Sequence, residues 1–149
     1  MDLGIRGRAA VVTGGSKGLG RQAALSLAGE GVDVAICARG GEALEATAAE
    51  LRATGVRVVA LQADATTAEG TQMVFDAAVA AFGKVDIVVN NVGGLGPAAR
   101  GGLEEISDQA LVETFDLNTF SALRLTRLAL PGMRERRWGR VIMIASIYG

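Results

Sequence analysis

Ala9-Ala10-Val11-Val12-Thr13-Gly14-Gly15-Ser16-Lys17-Gly18-Leu19-Gly20 runs from a short apolar stretch into a glycine-rich turn. The uncharged run reads as a strand buried on both faces, and Arg21 to Glu30 follows with Ala24, Leu27 and Ala28 at helical spacing. A strand that passes through glycines into a helix gathers free backbone N–H groups and the positive end of the helix dipole at one place. Such a place favours a phosphate, and only glycine lets a pyrophosphate come close to the chain. By itself the loop also fits a plain strand-to-helix turn. A Walker-type loop would end in Gly-Lys-Ser/Thr, whereas Lys17 precedes a glycine, so a nucleotide triphosphatase is disfavoured.

The same alternation continues outward from this stretch. Val32 to Cys37 reads as a second strand and Glu42 to Thr54 as a helix with Leu44, Ala48 and Leu51 on one face, stopped by Gly55. Arg57 to Leu61 is a third strand. Thr66-Thr67-Ala68-Glu69 has capping-box spacing ahead of a helix that carries Val74, Ala77, Ala78 and Ala81 and ends at Gly83. Val85 to Val89 is a fourth strand. Ser107 is placed to cap a long helix through Phe115, Phe120, Leu123 and Leu128, with a bend expected near Pro131, and Arg140 to Ala145 is a fifth strand. Parallel strands buried on both faces need helices on each side, and right-handed crossovers make a doubly wound α/β fold of three layers the expected one. One domain over 1–149 follows.

Composition narrows the chemistry. The chain has 149 residues, 50% hydrophobic, with 21 Gly, 2 Pro, 1 Cys, no His and a formal net charge of -1. One cysteine excludes an internal disulfide and a cysteine-based zinc site, and the lack of histidine removes imidazole as base or metal ligand. No metal site is expected, and acid–base work falls to Tyr, Lys, Ser or carboxylates. Scattered Lys and Arg near charge balance give no footprint for nucleic acid or an anionic membrane. No apolar stretch approaches the ~18 residues of a membrane span, and the start lacks a secretory layout, so a cytoplasmic protein is expected.

Thr-Gly-x-x-x-Gly-x-Gly at Thr13 to Gly20, Asp64 after the third strand, Asn-Asn-x-Gly at Asn90 to Gly93, Asn118 in the long helix and Gly-Arg-Val-Ile-Met-Ile-Ala-Ser at Gly139 to Ser146 occur in that order. Together they resemble the classical short-chain dehydrogenases/reductases across nearly the whole chain. Val92, where that family usually has Ala, is a conservative departure. The resemblance implies a Rossmann fold and a nicotinamide cofactor held by Thr13, Gly14, Ser16, Lys17, Gly18, Leu19 and Gly20. It implies that Asp64 with Ala65 borders the adenine, and that Asn90 with Gly93 braces the sheet along the adenine ribose. An Asp after a strand also commonly caps a turn, and Asn90 also suits backbone bonding alone.

The second strand bears on which nucleotide is preferred. An NAD site usually places a carboxylate about 20 residues beyond the glycines, at that strand's end. Here the strand ends Ile36-Cys37-Ala38-Arg39, with Ala38 at the acidic position. Arg39 offers a planar fork for a 2′-phosphate and Lys17 a second charge, each contact contributing roughly 1.5–3 kcal/mol. NADP(H) is therefore expected over NAD(H), the alternative being two solvated cations.

Hydride transfer to a carbonyl needs a proton donor and polar groups fixed where charge develops. By resemblance Asn118 holds helix geometry and a proton-relay water, and Ser146 hydrogen-bonds the substrate carbonyl. Taken singly, a mid-helix Asn facing solvent and a turn Ser are the plainer readings. The family's Tyr-x-x-x-Lys is expected beyond the last residue, together with two further strands, because the only tyrosine, Tyr148, lies two residues after Ser146 with no lysine four positions on. The chain is thus expected to be the first part of a longer reductase. A truncated NADP(H)-binding or sensing module without turnover, and a complete small enzyme using Ser146 and Tyr148, are the alternatives. A methyltransferase-like sheet leaves Arg39, Asn90 and Ser146 unexplained. The substrate expected is a small carbonyl or alcohol, with a lean toward 3-oxoacyl thioesters. The long helix resembles one that pairs subunits, so a homodimer or homotetramer is expected, and the apolar sides of that helix and of the fifth strand are expected to be exposed in these residues alone.

Overall fold

The structure, a computed structural model, describes residues 3–94, 102 and 104–145. In chain order it contains β1 (Ala9–Thr13), α1 (Gly18–Gly29), β2 (Asp33–Ala38), α2 (Gly41–Arg52), β3 (Val58–Gln62), α3 (Ala68–Phe82), β4 (Ile87–Asn90), α4 (Asp108–Phe115), a π-helical turn (Asp116–Phe120), α5 (Ser121–Glu135) and β5 (Arg140–Met143). The sheet order is β3-β2-β1-β4-β5 with every pairing parallel. The chain leaves β1 first toward one edge and then returns to the other side of β1, which is the doubly wound arrangement read from the sequence. In such sheets ligands bind where the order reverses, here at the carboxyl ends of β1 and β4.

Alternation along β1 divides the core into two layers. Ala9 and Val11 pack with Val74 and Ala78 of α3 and Leu125 and Ala129 of α5, whereas Ala10 and Val12 pack with Ala24 and Ala28 of α1 and Leu44, Ala48 and Leu51 of α2. Burial on both faces holds for the inner strands β1, β2 and β4 but not for the edges. β3 is half-buried, and β5 is exposed along its length, Val141 to Met143 being 37–48% open. An edge strand has one sheet neighbour, and β5 also has apolar side chains without cover. Val112, Phe115, Phe120 and Leu123 of the α4–α5 segment are likewise exposed, at 44–58%, as the sequence led us to expect.

α5 continues through Pro131, and a π-helical segment interrupts the long helix at Asp116–Phe120. One local expectation needs correction. The cap of α3 is Thr67, whose hydroxyl accepts from Gly70 N–H at 3.0 Å, rather than Thr66 of the supposed capping box. Thr66 is occupied elsewhere, its N–H and hydroxyl both donating to Asp64 Oδ1. Other ends follow the sequence: Gly83 closes α3 at φ 78°, and Ser107 caps α4 by accepting from Ala110 N–H.

Asp86, just before β4, is fully buried yet satisfied. Its carboxylate accepts from Lys84 Nζ and Arg136 Nε, each at 3.1 Å, and from Ala9 N–H at 3.3 Å, tying β1, β4 and the end of α5 at the amino edge of the sheet. Removing it leaves two partly solvated cations and an unsatisfied buried N–H. Asp86→Ala is expected to destabilise the fold by about 2–4 kcal/mol, read as a lower urea midpoint at unchanged m-value.

Candidate functional site

The glycine turn after β1 leaves no room for a side chain at Gly15 or Gly20. A Cβ on Gly15 would lie 2.6 Å from the Ile36 side chain, and one on Gly20 would lie 2.4 Å from the Gly14 carbonyl oxygen and 2.5 Å from Asn91 Nδ2. Gly14 and Gly18 have φ of +65° and +55°, the left-handed region that glycine enters without penalty. The turn is anchored from three sides. Gly15 N–H donates to the Cys37 carbonyl of β2, the Thr47 hydroxyl of α2 donates to the Ser16 carbonyl, and Asn91 Nδ2 donates to the carbonyls of Thr13 and Gly14. Thr13 Oγ1, buried, accepts from the N–H groups of Asn91 and Val92.

This geometry fits a phosphate. Lys17 stands at the N-cap of α1 with no side-chain cap bond, and the first turn carries no acid, so the leading N–H groups of α1 are left to an external anion. Ser16 is half-buried, Lys17, Gly18 and Leu19 are exposed at the mouth, and Gly20 is buried beneath them. The site thus joins a close-approach backbone with an uncapped helix terminus, the two features a dinucleotide's pyrophosphate requires.

Around the turn lie the other predicted residues. Arg39 is exposed just past β2, its carbonyl accepting from Gln62 Nε2 at 2.8 Å. Asp64 is half-buried after β3, with Ala65 buried beside it. The two hydrogen bonds from Thr66 hold the Asp64 carboxyl below its usual range, against a smaller opposing effect of burial, with the Arg39 charge adding slightly. A group whose folded pKa is depressed stabilises the fold above its unfolded pKa and loses that contribution as pH falls through the folded value. The turn at Asp64 to Thr66 is therefore expected to hold at neutral pH and loosen only below the ordinary carboxylate range near ~3.9, read from the Thr66 amide shift across an acid titration. Cys37, buried beneath the glycine turn, has its thiol pushed up to about 11 by desolvation, which disfavours the thiolate.

Asn90 and Asn91 bond to different parts of the fold. Asn90, buried at the end of β4, donates to Thr126 Oγ1 of α5 and to Met143 Sδ of β5, facing away from the glycine turn. Asn91 is the residue that locks that turn, and strand alternation is the signal that distinguishes them, since consecutive side chains point to opposite faces. Gly93 is needed by Asn118: a Cβ there would lie 2.7 Å from Asn118 Oδ1. Asn118 Oδ1 accepts from Gly94 N–H at 2.8 Å, and its Nδ2 donates to the Gly94 carbonyl at 2.9 Å and the Thr114 carbonyl at 2.8 Å. It lies in the π-helical turn, where Ser121 N–H reaches the Asp116 carbonyl five residues back. Ser146 and Tyr148 lie outside the described residues. Those residues hold no cluster of acids or thiols fit for a metal and no helix long and apolar enough to cross a membrane.

A parallel sheet with a glycine cradle at its topological switch point and an uncapped helix above it defines a dinucleotide-binding α/β protein. The chain belongs to the short chain dehydrogenase family, whose model matches residues 8–149. It is 43% identical over 143 residues to an uncharacterized oxidoreductase of Mycobacterium tuberculosis, covering 95% of this chain and 53% of that protein. Its fold superposes on the L-sorbose reductase of Gluconobacter frateurii, crystallised with NADPH and L-sorbose, with a TM-score of 0.90 and 37% identity over 99% of this chain and 55% of that one. A 7α-hydroxysteroid dehydrogenase complexed with NADH gives a TM-score of 0.86 and 29% identity over 96% and 55%. The chain spans about half the length of the curated relatives it matches.

Proposed function

We propose that the protein carrying this chain is an NADP(H)-dependent oxidoreductase that transfers a hydride between the nicotinamide and a ketone or secondary alcohol. The observation that carries the cofactor preference is the end of β2, where Ala38 stands at the acidic position and the exposed Arg39 follows at the mouth of the glycine cradle. A 2′-hydroxyl finds no carboxylate there, while a 2′-phosphate finds a planar fork and, across the turn, Lys17.

The chain's own residues have distinct tasks in this reading. The α1 terminus and Gly14 to Gly20 seat the pyrophosphate, Asp64 and Ala65 border the adenine, and Asn118 fixes the Gly93–Gly94 backbone beside the expected nicotinamide end. Ser146 is assigned the substrate carbonyl. When bound, the cofactor supplies the hydride. The exposed apolar face of α4 and α5 suits pairing with a second copy, giving a homodimer or homotetramer. No nucleic acid or membrane partner is assigned.

The test is NADPH oxidation by the whole protein against a panel of ketones, sugars and 3-oxoacyl thioesters. Turnover that is faster with NADPH than with NADH is the expected result. NADPH binding without turnover on any substrate would replace the reductase with a nucleotide-sensing module.

A further inference from the structure

Arg124, in the first turns of α5, reaches two elements far apart in sequence. Its Nη1 donates to the Thr66 carbonyl at 2.8 Å and its Nη2 to Asp116 Oδ1 at 2.5 Å. Thr66 completes the turn headed by Asp64, and Asp116 opens the π-helical turn that carries Asn118. One planar guanidinium therefore links the loop after β3 to the segment that clamps Gly94, through bonds of the charge-assisted kind. A π-helical turn is less regularly bonded than an α turn, and this one has no side-chain cap and no buried residue of its own. Its geometry depends on ties such as this one.

We propose that Arg124 is a positioning residue that passes order from the 64–67 loop to the Asn118 turn. An adenosine end seated on that loop then steadies the residue at the reacting end of the site. The inference rests on the nucleotide reading above. Ordering on the adenine side fixes the Thr66 carbonyl, the carbonyl fixes the guanidinium, and the guanidinium fixes Asp116 and the turn that begins with it. Coupling of this kind is a difference in local opening free energy, which hydrogen exchange reads directly.

The experiment is hydrogen–deuterium exchange on the whole protein with 5′-AMP as probe, followed in peptides covering 62–68 and 114–121. In the wild type 5′-AMP is expected to slow exchange in both, the second by about tenfold, the size of one charge-assisted hydrogen bond. In Arg124→Gln the slowing is expected at 62–68 alone, while Arg127→Gln, which removes an equal charge from an exposed position on the same helix, retains both. Should Arg124→Gln fail to fold, Asp116→Ala removes the acceptor of one arm only and is expected to lose the response at 114–121 while keeping that at 62–68. Full slowing at 114–121 in either variant, or wild-type slowing confined to 62–68, overturns the coupling and leaves nucleotide binding standing. Absence of any 5′-AMP binding to the wild type overturns the nucleotide reading itself.

Discussion

Gly20→Ala is expected to cost the protein its nucleotide affinity, by about 5- to 150-fold, and about 1–3 kcal/mol of stability as well. The added methyl would sit 2.4 Å from the Gly14 carbonyl oxygen and 2.5 Å from Asn91 Nδ2. Neither neighbour is a free side-chain end. The first is backbone at the apex of the turn, and the second is held by its own bonds to Thr13 and Gly14. To make room, the turn must separate from α1, which moves the N–H groups out of the phosphate position. Gly29, near the end of the same helix, has nothing within 4 Å of an added Cβ, so Gly29→Ala is the matched control and is expected to leave binding unchanged. Calorimetric titration with NADPH and urea unfolding of both variants check the contrast. Equal NADPH affinity in Gly20→Ala and wild type would mean that the cradle is only a turn.

Arg39→Ala is expected to lower NADPH affinity by about 10- to 150-fold, the equivalent of one guanidinium–phosphate contact of ~1.5–3 kcal/mol, and to leave NADH within about twofold. The side chain is exposed, and only its carbonyl takes part in a described hydrogen bond, to Gln62, which a substitution to Ala preserves. Loss of stability is therefore not the expected cause of a change. The selectivity ratio isolates the 2′-phosphate, because the two cofactors share every other group. A parallel fall for both cofactors would assign Arg39 to the general shape of the loop instead.

The fold was legible because its signals are local. Apolar runs of strand length, glycines at their carboxyl ends and helical periods between them each depend on a few consecutive residues, so five strands of a doubly wound parallel sheet could be read before any contact was known. Features made by distant contacts were not. The π-helical turn at Asp116–Phe120 coincides with the bonds of Asn118 to Gly94, 24 residues away, and nothing in the helix's own periodicity announces it. Thr67 rather than Thr66 caps α3 because Asp64 captures Thr66 first. Asn90 and Asn91 are adjacent and alike in the sequence, but the locking of the glycine turn falls to Asn91, a distinction carried by strand alternation. Asp86 and Arg124 carry no sequence signal, since a single charged residue gives no pattern until its partners are in place.

The central claim is that this cradle seats a dinucleotide and that the Ala38–Arg39 end of β2 selects the phosphorylated one. Calorimetric titration of the whole wild-type protein with NADPH and, separately, NADH tests it most directly. The expected result is a single site per chain with NADPH bound at least about tenfold more tightly, as one guanidinium–phosphate contact dictates. NADH binding as tightly as NADPH would contradict it.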